Sequence, residues 1–411
     1  MDIPLKRDRY LQEIRPFVDT DVVKVLTGMR RSGKSVLLEL IAAALKERGA
    51  QASHIISFNF EERENADLLT SAALNDKVDR LMDEADAPYY LLFDEIQEVA
   101  GWEKCVNALR IRKNVDLYLA GSNSRLLSSE LATYLAGRYV TFAVYPLSFS
   151  EFLELPRYQQ LQADAKRGDL KSAFEDYLRV GGMPFAAVQD LGPEPARMYL
   201  QDLFNSVILR DIVERHGVRS TEQLRRIIVF ALANMGQMLS AHSVANYFKN
   251  EKRPISPETV MGYLKYCTEA FLLYKVPRND LTGKKLLSTN EKYYCVDHAL
   301  QRAIAGSGAY NVATVLENIV YLELLRRGYE VTVGKLQDKE VDFVATRGDE
   351  MLYLQVSYLL ASPDTIAREF GVFEGIKDSY PRHVLSMDEL DLSQNGVQHH
   401  FLPEFLLDES W

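Results

Sequence analysis

Eight residues, Gly28-Met29-Arg30-Arg31-Ser32-Gly33-Lys34-Ser35, satisfy the spacing G-x-x-x-x-G-K-[ST]. Glycines at the fixed positions let consecutive backbone amides converge on a polyanion, and a helix starting at the end of the loop adds its positive pole. In that geometry Lys34 reaches the outer phosphates of ATP, the Ser35 hydroxyl holds magnesium, and Gly28, Arg30, Arg31, Ser32 and Gly33 complete the nucleotide-contacting set. The plain alternative is a glycine-rich strand-to-helix turn with an incidental lysine.

A hydrolytic nucleotide site needs a second carboxylate strand, and Tyr89-Tyr90-Leu91-Leu92-Phe93-Asp94-Glu95 is an apolar run ending in two acids. Asp94 is expected to hold magnesium through water, and Glu95 to polarise the attacking water as general base. An acidic helix cap after a strand is the competing reading. Further along, Gly121-Ser122-Asn123-Ser124 follows another apolar run. Asn123 or a neighbouring serine there would orient the water, although a simple post-strand loop explains the same residues.

These groups need a scaffold that brings strand ends together. Residues 22–26 read as a short buried strand, and residues 35–45 place Val36, Leu37, Leu40 and Leu45 at helical spacing. Residues 54–60, 116–120 and 139–144 are further apolar runs between helical stretches, which predicts an α/β architecture with a parallel sheet. The chain of 411 residues is long enough for two to four domains, and 47% hydrophobic with 26% charged residues is ordinary globular composition. A net charge of -10 argues against a wholly nucleic-acid-coating surface while leaving room for a local basic face. Cys105, Cys267 and Cys295 share no C-x-x-C spacing, so neither a disulfide framework nor a zinc site is expected. No segment approaches the roughly 20 uninterrupted apolar residues of a membrane span, and the start has no core of signal-peptide length. The expected location is the cytoplasm, without a membrane partner.

The combination resembles the AAA-type P-loop ATPases, in which a polar sensor follows the fourth strand and an arginine precedes the fifth. Arg138, in YLAGRYVTFAVYPLSFSEF, stands at that arginine's place. The resemblance implies that Arg138 senses the outer phosphate, often that of a neighbouring subunit, and hence a homo-oligomer. More narrowly, GMRRSGKS, LLFDEIQ, GSNS, the turn Gly181-Gly182-Met183-Pro184, EVDFVA and YLQVSY resemble prokaryotic ATP-binding proteins with a C-terminal domain of unknown function. No lid arginine is identifiable after Gly181-Gly182.

The expected order is therefore an AAA-type P-loop core over residues 1–152, a helical lid over 153–217, a winged-helix-like domain over 218–300 and a small α/β domain over 301–411. Arg210-Asp211 in the lid reads as a helix-face ion pair. Ser240 and Ser256 are good helix starts, and a Gly-Lys-Lys turn follows between two extended runs. Lys249, Lys252, Arg253, Lys284 and Lys285 make DNA a candidate partner there, with a protein partner as the alternative.

The last third resembles restriction-endonuclease-like folds, with Glu317, Asp342, Gln355 and Ser357 at the positions of acid, Asp and acid-x-Lys. The lysine is missing from that place, so a degenerate nuclease-like domain used for binding is expected rather than a working nuclease. Glu340 is set aside as facing away from Asp342.

Overall fold

Five apolar runs of the first unit form parallel strands: β1 (Val23–Thr27), β2 (Ile55–Asn59), β3 (Tyr89–Asp94), β4 (Val115–Gly121) and β5 (Tyr139–Ala143), in the order β2-β3-β4-β1-β5. The computed structural model describes residues 5–84, 86–122, 135, 137–161, 166–281, 283, 285–306, 308 and 311–411. The chain divides into two compact units, Met1–Tyr145 and Pro146–Trp411.

The strands are apolar on both faces because both faces are covered. Val25, Leu91, Phe93, Leu117 and Leu119 pack with Trp102, Cys105 and Leu109 of the helix Trp102–Arg110. The alternate residues Leu26, Tyr90, Leu92, Tyr118 and Ala120 pack with Leu37, Leu38, Ile41 and Leu45 of the helix Lys34–Glu47. This period-two division between two cores is what a parallel sheet with helices on both sides demands. One charge interrupts it: Lys24, fully buried in β1, pairs with Asp116 of the adjacent β4, and the Tyr118 hydroxyl donates to the same carboxylate at 2.9 Å.

In the second unit, helices Arg167–Val180, Pro184–Val188 and Pro193–Ser206 lead into a π-helical stretch, Val207–Glu214, which buries Asp211 and leaves Arg210 exposed. Three helices follow, Thr221–Ala233, Ala241–Asn250 and Pro257–Glu269. The last two start as expected, with Ser240 and Ser256 accepting from the amides of Ser243 and Thr259 at 3.0 and 3.2 Å. A hairpin of β6 (Leu273–Asp280) and β7 (Lys285–Cys295) comes next.

That hairpin is not a free wing. β6 pairs in parallel with β8 (Glu330–Leu336), and β9 (Lys339–Arg347), β10 (Glu350–Val356), β11 (Arg382–Ser386) and β12 (Gln398–Phe401) complete one sheet, ordered β12-β11-β10-β9-β8-β6-β7. The expected boundary at residue 300 falls between strands of a single sheet, and the first compact unit ends at Tyr145. β8, β9 and β10 are an antiparallel meander, and β11 joins β10 in parallel after the helix Pro363–Gly371. The helix Val312–Arg326, which precedes the meander, is buried on nearly every side, which explains its predominantly apolar sequence; its buried Glu323 pairs with Arg326 and Arg327.

Candidate functional site

The end of β1 turns through Gly28 and Gly33, at φ 154° and 101°, with Arg31 left-handed at φ 65° between them, before the helix begins at Lys34. At Gly28 a side chain is excluded: its Cβ would lie 2.2 Å from the Val144 carbonyl oxygen. Lys34 is buried, and its ammonium donates to the carbonyls of Gly28 and Met29 at 3.0 Å each. It is thus held over the loop whose amides form the phosphate cradle. Arg30 pairs with Glu61 at 2.9 Å, and Ser32 is buried with its hydroxyl unbonded.

At the carboxyl end of β3, Asp94 is buried and its Oδ1 has no hydrogen-bond partner. Burial pushes this carboxyl above its ordinary range, a hydrogen bond from Ser35 opposes that, Glu95 raises it and Lys34 lowers it. An orphaned carboxylate oxygen beside the loop's hydroxyl suits a hard divalent cation, so the residues present fit magnesium.

Glu95 follows in the left-handed region at φ 52°, a conformation that costs a non-glycine residue about 1–3 kcal/mol. Its Oε2 accepts from the Ser122 amide at 3.2 Å, from the Ser122 hydroxyl at 3.1 Å and from the Gln97 side-chain amide. Glu95 is thereby joined to the end of β4, where a polar residue after the strand is expected, and the residue seen in contact is Ser122. Asn123 lies outside the described residues, as does Lys284.

Arg138 does not join this group on its own chain. Its carbonyl accepts from Val23 at the start of β1, and the loop leaves from Thr27, about 13 Å of strand away. Its exposed guanidinium pairs with Asp21 at 2.9 Å. Arg7, by contrast, is buried over the Tyr10 ring and donates to the carbonyls of Ser32 at 2.9 Å and Tyr145 at 2.8 Å, bracing the loop. No motif marks it in the sequence.

The Gly181-Gly182 turn has a structural role within the second unit. The Gly182 amide donates to Asp297 Oδ2 at 2.6 Å, while Asp297 Oδ1 caps the helix His298–Ala305 through the amides of Ala299 and Leu300. A Cβ on Gly181 would lie 2.5 Å from Asp297, and one on Gly182 2.4 Å from the Leu147 carbonyl.

Three of the four carboxyl-terminal candidates, Glu317, Asp342 and Gln355, gather. Asp342 on β9 accepts from the Val356 amide at 2.9 Å and donates its own amide to Gln355 at 3.2 Å. Gln355 donates in turn to Glu369 at 2.9 Å, and Ser357 is buried just past β10 with its amide on the Leu385 carbonyl. Glu317 accepts from the Tyr294 hydroxyl at 2.9 Å. Two expectations are corrected. Glu340 shares the strand face of Asp342, since residues two apart on a strand point the same way. A lysine is also present: Lys292 of β7 lies 2.7 Å from Glu340 and 3.8 Å from each of Glu317 and Asp342. It was invisible in the sequence because it comes from an earlier strand and no spacing rule connects it to the acids.

Comparison with known proteins accords with the first unit's geometry. A family model described as an AAA domain matches residues 20–153, and one for a domain of unknown function matches residues 171–311. An uncharacterized protein of Haemophilus influenzae is 38% identical over 405 residues, 98% of each chain. A second, from Methanocaldococcus jannaschii, is 30% identical over 90% of this chain and 81% of its own. Among solved structures, the Walker-type ATPase of Pyrococcus abyssi has a TM-score of 0.50 at 16% identity, covering 74% of this chain and 96% of that one, a likeness of fold. No helix among the described residues is long and apolar enough to cross a membrane.

Proposed function

The chain belongs to one family with the Haemophilus influenzae and Methanocaldococcus jannaschii proteins, its first third is an AAA-type P-loop ATPase domain, and from that premise we propose magnesium-dependent ATP hydrolysis coupled to motion of the second unit. The observation that carries this reading is the joint placement of Lys34, Ser35, Asp94 and Glu95: the phosphate loop, the orphaned carboxylate and a general base held to the end of the next strand. Lys34 and the loop amides bind the phosphates, while Ser35 and Asp94 hold the cation. Glu95, once directed at water, would take its proton as the water oxygen bonds to the outer phosphorus and the bond from that phosphorus to ADP breaks, leaving ADP and inorganic phosphate. Magnesium, when bound, neutralises charge between the outer phosphates. Asn123 is assigned to orienting the water.

A second reading, a slow nucleotide-gated switch that recruits a protein or DNA partner, is favoured by one observation. All three donors on Glu95 converge on the same oxygen, so Ser122 and Gln97 restrain the base, which slows its delivery to water. Arg138 is assigned a role only toward the nucleotide of a neighbouring subunit, which makes turnover dependent on assembly. Glu95→Gln separates the readings. A motor stalls with bound ATP and loses its task, whereas a switch keeps binding its partner in the ATP state.

A further inference from the structure

The cluster around Lys292 takes no part in the nucleotide chemistry, yet it gathers an ammonium and carboxylates from three separate elements in the interior of the second unit. Lys292 is 4% exposed on β7. Facing it are Glu317 from the helix Val312–Arg326 and Glu340 and Asp342 from β9, with the ammonium 3.8, 2.7 and 3.8 Å from their oxygens. Tyr294 also donates to Glu317, and the Val356 amide donates to Asp342. Gln355 bridges the Asp342 amide to Glu369, and Glu369 is paired with Arg368 at 2.6 Å.

Carboxylates gathered in a low-dielectric interior need compensation, by a proton, by a side-chain cation or by a bound divalent cation. A cation such as magnesium needs inner-sphere oxygens converging at about 2.0–2.1 Å. The carboxylates here converge on a nitrogen instead: Glu317 Oε2 accepts from Tyr294 while facing Lys292, Glu340 Oε1 faces Lys292, and Asp342 faces Lys292 with one oxygen and accepts from the Val356 amide with the other. Among the described residues no three His, Cys, Asp or Glu side chains are grouped as a metal site. We propose that the Lys292 ammonium is the resident cation of the Glu317, Glu340 and Asp342 cluster, taking the place of a divalent metal and leaving this sheet a nuclease-like layout that neither binds metal nor cleaves nucleic acid.

The electrostatics agree in direction. Burial alone would pull the Lys292 ammonium down, but Glu317, Asp342 and Glu340 together hold it above its ordinary value. Burial and the neighbouring Glu317 raise the Asp342 carboxyl, and Lys292 opposes them. The ammonium also ties β7, at one edge of the sheet, to the helix and to β9 across two intervening strands. The hairpin and the meander are thereby fixed to one another by charge as well as by backbone pairing.

The test uses the full chain without nucleotide, carrying Asp94→Asn to remove the phosphate-loop cation site, and titrates manganese by calorimetry and electron paramagnetic resonance. The expected result is no manganese bound in the second unit. Adding Lys292→Ala creates one site per chain, at least about tenfold tighter than any residual binding, which Asp342→Asn abolishes. If Lys292→Ala does not fold alone, manganese should restore its folding, and Lys292→Arg should fold without metal. Manganese binding by the Lys292 protein that Asp342→Asn removes would overturn the proposal. So would a Lys292→Ala protein that neither gains a site nor is restored by manganese, or DNA cleavage with magnesium or manganese that Asp342→Ala abolishes.

Discussion

The Glu95 carboxylate at the end of β3 accepts hydrogen bonds from both the amide and the hydroxyl of Ser122 at the end of β4, at 3.2 and 3.1 Å. These bonds lie on one oxygen and restrain how the carboxylate is presented to water. Gln97→Ala removes the third donor without touching the phosphate loop. The expected outcome is a several-fold rise in ATP turnover with unchanged nucleotide affinity, on the order of the roughly 1 kcal/mol that one such hydrogen bond supplies. Glu95→Gln should lose on the order of 10²–10⁴ in turnover and still bind ATP. Single-turnover kinetics with a fluorescent nucleotide check both, and a Gln97→Ala enzyme slower than the parent would show that the contact positions the base rather than restrains it.

Asp94 joins stability to pH. Its folded-state carboxyl is raised, so the folded chain holds this proton more tightly than the unfolded chain. Its contribution is therefore most favourable at low pH and is lost as pH rises from the ordinary value of about 3.9 through the raised one. Without nucleotide and magnesium, Asp94→Asn is expected to raise the melting temperature at neutral pH while abolishing magnesium-dependent hydrolysis. Equal melting temperatures of the two proteins at pH 7 would contradict this origin of the shift.

Arg7 ties the phosphate loop to the chain after β5 through charge-assisted bonds to the carbonyls of Ser32 and Tyr145. Such bonds contribute about 1.5–3 kcal/mol each, so Arg7→Ala should weaken ATP binding by roughly tenfold or more. Turnover at saturation should change much less. Titration of a fluorescent ATP analogue reads the first effect, and Arg7→Lys should restore only part of it, because a single ammonium does not reproduce the guanidinium fork.

The buried pair of Lys24 and Asp116 predicts an asymmetry in stability. Lys24→Met leaves a carboxylate buried without its cation and should cost about 3–5 kcal/mol, whereas Lys24→Met with Asp116→Leu should cost clearly less. Urea denaturation of the two variants measures the difference.

Much of the first unit was legible in the sequence because the strands are short apolar runs whose ends carry the polar groups. Lys34, Ser35, Asp94 and Glu95 stand at those ends as the motifs require. The strand order was not legible, since parallel neighbours such as β1 and β4 are far apart in the chain. Lys24 was read as part of an apolar run because its partner lies on β4, and Ser122 was named only as a neighbour of Asn123. In the second unit the serine caps were legible from local chemistry, as were Glu317 and Asp342 from their acid pattern. The β6–β7 hairpin was misassigned because its pairing with β8 skips the helices His298–Ala305 and Val312–Arg326. That pairing is what brings Lys292 to the acids, so the lysine was missed with it.

ATP hydrolysis that depends on Lys34 is read out by steady-state turnover of the parent chain and of Lys34→Ala, across protein concentration and with and without duplex or single-stranded DNA. The expected result is magnesium-dependent turnover that Lys34→Ala abolishes, at a rate per chain that rises with concentration if Arg138 serves a neighbouring subunit. Turnover that survives Lys34→Ala, or a pure parent chain that neither binds nor hydrolyses ATP with magnesium at any concentration, would contradict it.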